Sequence, residues 1–409
     1  MKKIVYISAD YFFDVDFPIL KGIKQNNNLL WLAIITKGER YNIEEVTNYC
    51  TQYSIKNKIY KPKGRRRSPH YFIVACQIIK SILSFDPDCI YFEYMGDYYL
   101  YYLAKVFLPQ KKIIIALHDV IPHSNFMNKS YKIFHKKKCR SFDNYQTFSL
   151  SQQSLLKKVY KKNSICIPLA MKDYGISAVK PCSKKECTKL LFFGSIMSYK
   201  GLSKLIDACE QLKKEGITNY KLTIAGKGND WEICNSHIES PELYNLNIGF
   251  INNRDVANLF RSHHYLILPY LDVTQSGPLM IAYNYNLPII ASDLDEFKEY
   301  ITNDKDGFLF SYKKEEFIPT LKKAILQNDT TYSIFIENLR QKIEKNYSLN
   351  LIINRYNLMY QEIIDKYSKN LRKNGRMRVK FDKWLVHIPF LCYLTILLIS
   401  AEGAVYGGY

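Results

Sequence analysis

Short apolar, β-branched runs alternate along most of the chain with stretches whose apolar residues recur at spacings of three and four. In the first half, residues 4–8, 30–36, 89–93, 112–118 and 147–150 read as strands, and 71–83 and 98–107 as helices. A looser basic stretch, 172–189, with Pro181 and the Lys184-Lys185 pair, reads as a connector. The alternation then restarts. A strand at 190–194 precedes a helix with Leu202, Leu205, Ile206, Cys209 and Leu212 on one face. Strands 222–225 and 246–250, helix 256–262, strand 265–268, helix 279–285 and strands 288–292 and 307–310 follow, and residues 318–371 read as helical. Strand–helix alternation of this kind predicts parallel, doubly wound α/β sheets, here two of them.

The predicted organisation is a first Rossmann-like domain over 1–175, a second over 176–345, a crossover helix over 346–371 and a tail over 372–409. The tail changes character. Residues 372–383 are strongly basic, and 385–401 are 17 residues without a formal charge, led by Trp384 and interrupted by His387 and Pro389. That length is at the lower limit for a span, since about 20 apolar residues are usual. The basic flank suits contact with an anionic membrane surface, either in the membrane plane or as an anchor.

Composition narrows the partners. The chain has 409 residues and a formal net charge of +20. Local clusters fall at 61–67, 135–140 and 369–383, but no nucleic-acid-reading motif accompanies them, so phosphorylated substrates or a membrane are the better partners. The ten cysteines form no Cys-x-x-Cys pair and several sit inside apolar runs. They read as reduced core thiols, and the short, soon-polar N-terminus reads as a strand rather than a signal peptide. Both point to the cytoplasm.

Three loops carry candidate chemistry. After the strand ending at Gly194, the run Tyr199-Lys200-Gly201 leads into a helix, which places an ammonium and free helix-start amides at a sheet's carboxyl edge. After the next strand comes Gly226-Lys227-Gly228, either a close backbone approach to a ligand or a simple tight turn. After the strand ending at Pro269, Thr274-Gln275-Ser276-Gly277 precede Pro278, which favours the first helical position; this is a second anion cradle or an ordinary N-cap. In the first domain, His118 and Asp119 end an apolar strand, so that Asp119 could orient the imidazole, and His123 and Asn125 follow on the same loop. The Asp-x-Asp pairs Asp14/Asp16, Asp86/Asp88 and Asp293/Asp295 fall at unrelated places and are assigned no metal.

The ordered set Gly194, Tyr199-Lys200-Gly201-Leu202, Ile224-Ala225-Gly226-Lys227-Gly228, Gly249-Phe250-Ile251, Leu268-Pro269-Tyr270, Thr274-Gln275-Ser276-Gly277, Leu287-Pro288-Ile289-Ile290-Ala291-Ser292-Asp293, Glu299 and Gly307 resembles family-4 retaining GT-B glycosyltransferases. The first domain agrees more loosely, through its first strand, Leu117-His118-Asp119 and Phe148-Ser149. The resemblance implies a second domain that binds a nucleotide-diphosphate sugar and a first domain that binds a glycan or lipid-linked acceptor. A late helix near 347–367 would cross back to the first domain. It further implies that Lys200 touches the diphosphate and the backbone at Ile251 lines the base pocket. The turn from Thr274 to Gly277 would meet phosphate or sugar, with Gly194, Gly226, Lys227 and Glu299 also on the donor side. His118, with Asp119, would stand at the transferred sugar.

This chain departs from that family in two respects. Ser195 and Met197 stand where relatives carry an arginine, and Val273 and Ile281 where many carry two glutamates; the Thr-Gln-Ser-Gly form resembles a branch without that pair. Stabilisation of a departing diphosphate by cations and amide dipoles needs neither a strong base nor a metal. A hexosyl transferase at the inner face of a membrane is the leading expectation. A non-catalytic sugar-nucleotide-binding subunit, or a GT-B epimerase or phosphorylase, stays open beside it.

Overall fold

The computed structural model describes residues 1–36, 41–121, 129–179, 184 and 187–373. His123, Asn125, Pro181, Lys185 and the tail from 374, including Trp384, His387 and Pro389, lie outside the described residues.

Seven parallel strands form the first sheet: β1 (Lys2–Ala9), β2 (Asn27–Ile34), β3 (Lys56–Tyr60), β4 (Cys89–Phe92), β5 (Ile113–Leu117), β6 (Asn144–Thr147) and β7 (Ile165–Cys166), in the order β3-β2-β1-β4-β5-β6-β7. Six parallel strands form the second: β8 (Thr188–Phe193), β9 (Tyr220–Gly226), β10 (Tyr244–Ile248), β11 (Tyr265–Leu268), β12 (Ile289–Ser292) and β13 (Gly307–Phe310), in the order β10-β9-β8-β11-β12-β13. Helices cover both faces of each sheet, so the central strands are apolar throughout; β4, β5, β11 and β12 are buried at every position. Each sheet reverses its winding at one place, between β1 and β4 and between β8 and β11. Ligands of doubly wound sheets bind at the carboxyl edge there.

Most elements follow the hydrophobic pattern. Two do not, for physical reasons. The strand expected at 147–150 lies three residues earlier, at β6, because its buried Asn144, Gln146 and Thr147 are polar. Ser149 instead caps the next helix, Leu150–Tyr160, by accepting the Gln152 amide. Strand β3 is an edge strand with exposed lysines, and Lys58 donates to Ser81 at 2.9 Å. The connector is packed rather than loose: the Tyr174 amide donates to the Tyr285 hydroxyl, and Ser177 and Ala178 both donate to Asn258.

After helices Phe317–Leu326 and Asp329–Asn346, the helix Leu349–Lys373 returns to the first domain. Tyr356 and Tyr360 are buried against Tyr91. Gln146 donates to the Tyr356 hydroxyl at 3.1 Å, and Asn27 donates to Asn357 at 2.8 Å. The compact body ends at Ile364, and the residues beyond form a separate unit. Among the described residues no helix is long and apolar enough to cross a membrane; the 385–401 stretch lies outside them.

Three imidazoles are interior, those of His135, His263 and His264, and burial shifts the first two. His263 bridges the Leu259 carbonyl at 2.6 Å and the Thr223 hydroxyl at 2.7 Å, and His135 lies against the Val120 carbonyl at 3.1 Å. Burial pushes each pKa down to about 4. The unfolded chain takes up protons on these rings near pH 6.5, and the folded chain only near 4. Stability is therefore lost as pH falls through that window, by roughly 2 kcal/mol per imidazole between pH 7 and 5. Urea midpoints at the two pH values check this, and His263→Gln is expected to remove its share of the difference.

Candidate active site

The loop after β8 passes through Gly194, turns at Ser198–Lys200 and enters the helix Leu202–Lys214. Lys200 is held inside that loop, 8% exposed. Its ammonium lies 5.1 Å from the Tyr270 ring centroid. It is also 3.3 Å from the place a Cβ on Gly194 would take, and Pro278 Cγ is 3.6 Å from the same place. The cation thus sits between the β8 loop and the start of the Gly277–Asn284 helix, and no carboxylate pairs with it among the described residues. Burial lowers its pKa, and Tyr199 opposes the shift. Burial raises the pKa of the neighbouring Tyr199 phenol, and the Lys200 charge opposes that shift.

The second cradle is half as expected. The Ser276 hydroxyl caps the Gly277–Asn284 helix by accepting the Leu279 amide at 3.3 Å. Thr274 and Gln275 are half-buried beside it, and Gln275 Nε2 is buried without a hydrogen bond. An unsatisfied buried donor of this kind has a cost that a ligand oxygen would remove.

Gly226 and Gly228 serve another purpose than ligand approach. A Cβ on Gly226 would stand 1.8 Å from the Gly194 carbonyl oxygen, and one on Gly228 1.8 Å from that of Ile196. The Gly194 and Ile196 amides donate to the Ala225 and Lys227 carbonyls, both at 2.9 Å. The two loops are therefore packed backbone on backbone, and the Gly-x-Gly sets the position of Lys200's loop. Lys227 is exposed, 5.7 Å from the Phe250 ring, and Ile251 is half-buried against the second-domain core.

Glu299 is also placed differently. Its two oxygens accept the Leu150 amide at 2.8 Å and the Ser151 amide at 2.7 Å, which caps a first-domain helix. Glu296 accepts from Ser151 Oγ at 3.1 Å on the same turn. These carboxylates join the domains, with a pocket of about 600 Å³ beside them.

In the first domain, His118 follows β5 and its ring is stacked between Phe12 at 4.1 Å and Phe148 at 4.3 Å. Its Nε2 lies 2.7 Å from Glu93 Oε1, and the other oxygen of Glu93 accepts from the Tyr91 hydroxyl at 2.5 Å. The group that orients the imidazole is therefore Glu93, not Asp119. Asp119 acts on Tyr131, His135 and Lys138 instead. A cleft of about 510 Å³ opens beside the pair, lined among others by Tyr11, Arg66, Tyr94 and Asp119. The Tyr94 hydroxyl and His135 Nδ1 face this space buried and without partners.

Sequence reasoning missed Glu93, Phe12 and Lys172. Glu93 had a legible signal, an acid closing an apolar strand run at its carboxyl end. Phe12 and Lys172 had none, since only folding brings them to the crevice. Lys172 pairs with Asp14 at 2.6 Å, while Asp16, two residues on, accepts from Tyr6 at 2.7 Å. That Asp-x-Asp pair thus divides between two partners.

Residues 187–327 match the family described as Glycosyl transferases group 1. An uncharacterised glycosyltransferase of Methanocaldococcus jannaschii is 20% identical over 280 residues, covering 64% of this chain and 71% of its own length. The O-antigen chain mannosyltransferase C of Escherichia coli is 20% identical over 273 residues, with the same coverage of 64% and 71%. Among solved structures, a glycosyltransferase from Rickettsia africae superposes with a TM-score of 0.66 at 16% identity, covering 89% of this chain and 98% of that one. Anabaena HepE, solved with UDP-glucose, superposes with a TM-score of 0.65 at 12% identity, covering 90% and 100%. At such identities the structural likeness speaks for the fold, which is GT-B.

The loop packing is testable. Gly226→Ala forces a Cβ against a carbonyl oxygen and is expected to lower stability by about 3 kcal/mol or more, whereas exposed Lys227→Ala stays within about 0.5 kcal/mol. Chemical denaturation of the two variants checks the contrast.

Proposed function

With a group 1 glycosyltransferase domain in its second half as the premise, we propose that this protein transfers a hexosyl unit from a nucleotide-diphosphate sugar to a glycan or lipid-linked acceptor, with retention at the anomeric carbon. The observation that carries the reading is the buried, uncompensated ammonium of Lys200, set between two loops at the carboxyl edge of the second sheet. A charge in that position is stabilised by an arriving anion. The donor diphosphate is that anion. It lies along Lys200, Gln275 and the start of the Gly277–Asn284 helix, and the base lies toward Ile251.

The reaction needs little from the protein beyond position and charge. The bond from the anomeric carbon to the diphosphate oxygen breaks, and its electron pair leaves with the nucleoside diphosphate. The acceptor hydroxyl oxygen forms the new bond on the same face, and its proton passes to the departing phosphate oxygen. Lys200 and the amide dipoles stabilise the charge that develops on the leaving group. On the first-domain side, His118 is stiffened by Phe12, Phe148 and Glu93 to contact the sugar, and the cleft beside it takes the acceptor. The O-antigen relative and the UDP-glucose complex of HepE support a role in polysaccharide assembly and make UDP-sugars the first donors to try. The basic and apolar segment from 372 would hold the protein at an anionic membrane surface, on the cytoplasmic side.

Turnover of UDP- and GDP-hexoses, with the product's anomeric configuration read by NMR, tests the proposal. The linkage is expected to keep the donor's configuration. Lys200→Met is expected to lower kcat/KM by roughly 10²- to 10³-fold, the usual loss of one group that stabilises transition-state charge. Undiminished turnover in that variant overturns the assignment, and binding of donor without any turnover points to a non-catalytic sugar-nucleotide-binding subunit.

A further inference from the structure

We propose that Lys172, carried by the segment between the domains, is the second cation of the diphosphate site, and that Asp14 holds it ready until the donor arrives. This rests on the donor reading of Lys200 and adds to it a residue from outside the second domain.

Three observations lead there. First, a diphosphate carries more charge than one ammonium neutralises, and the positions before Lys200 where a further cation would be expected hold Ser195 and Met197. Second, Lys172 occupies the start of the Gly277–Asn284 helix: its Nζ is 3.1 Å and its Cε 3.6 Å from the place a Cβ on Gly277 would take. Pro278, the next residue, reaches toward the same point beside Gly194 as Lys200 does. The two ammonium groups therefore flank one helix start, where the helix dipole already favours an anion. The buried, unpaired Gln275 Nε2 stands on the same turn. Glycine at 277 is what leaves Lys172 its room.

Third, the present partner of Lys172 is one it can leave. Asp14 Oδ2 accepts from Lys172 Nζ at 2.6 Å and also from the Tyr174 hydroxyl at 3.3 Å. When Lys172 turns to a phosphate oxygen, Tyr174 still donates to the carboxylate. A lysine suits this exchange, because it is a point charge on a flexible stem rather than a fixed fork. The bridge also ties the connecting segment to the first domain, since Asp14 lies on the helix Phe13–Asn26. Donor binding and the release of that bridge are then one event.

The competing view is a plain structural ion pair, and the two views differ in what Asp14 does. Calorimetric titration of the full chain with UDP, GDP and inorganic pyrophosphate separates them. Lys172→Met is expected to weaken UDP and GDP by about tenfold or more while leaving uridine unchanged, and Lys172→Arg to restore most of the loss. Asp14→Asn removes the competitor, so it is expected to bind UDP as tightly as the parent or a few-fold more tightly, even with a lowered Tm. Because Lys172→Met removes the cation beside a buried carboxylate, the double variant Asp14→Asn/Lys172→Met is the control against misfolding; it is expected to bind UDP about tenfold more weakly than Asp14→Asn alone. Equal UDP affinity in those two, or equal weakening by Asp14→Asn and Lys172→Met, overturns the proposal. If Lys200→Met weakens UDP while the Lys172 variants do not, only this inference fails. If no diphosphate binds the parent, the donor reading fails with it.

Discussion

A positive charge with no counter-ion among the described residues, enclosed at the carboxyl edge of a parallel sheet, is the constraint around which the second domain is arranged. Enclosing an ammonium is unfavourable, and the usual response is a neighbouring carboxylate. Here Lys200 has instead an aromatic face, a proline and a glycine that makes room for it. The loop that carries it is fixed by the Gly226–Gly228 contact, and the opposite wall by the Ser276 cap. Backbone packing and capping keep the charge in place.

The first domain is organised on the same principle with opposite sign. Glu93 is interior, and its charge is met by Tyr91 and His118. The imidazole is thereby fixed in orientation and presented between two phenyl rings beside the first-domain cleft. One apolar cluster joins the halves, and polar contacts flank it: Glu299 and Glu296 meet the Leu150–Tyr160 helix, and Lys172 of the connector meets Asp14.

The fold was legible because doubly wound sheets write themselves in long apolar strand runs and amphipathic helices. Where β6 buries Asn144, Gln146 and Thr147, that code is absent and the expected strand slid onto a helix cap. Local sequence also announced the two loops that flank the cation, since Gly, Lys and Pro at helix starts have one-dimensional signatures. It could not announce roles set by distant partners. Glu299 lies in the motif order of a donor ligand, yet its oxygens are taken by amides 149 and 148 residues earlier in the chain. Asp119 adjoins His118 in sequence, but it is Glu93, at the end of the neighbouring strand, that reaches the ring. The Gly-x-Gly reads equally well as ligand approach or loop packing, and only its neighbours decide.

The returning helix has a consequence for how the first domain matures. Tyr356 lies 3.4 Å from the Tyr91 hydroxyl across 265 residues of sequence, and Tyr91 is the group that donates to Glu93. The amino-terminal half, made first, can assemble its own sheet during synthesis. Its Glu93–His118 pair still lacks a floor until a segment emerging hundreds of residues later docks beneath it. The support that Tyr91 gives Glu93 is thus backed by its last neighbour only after the second domain has been made.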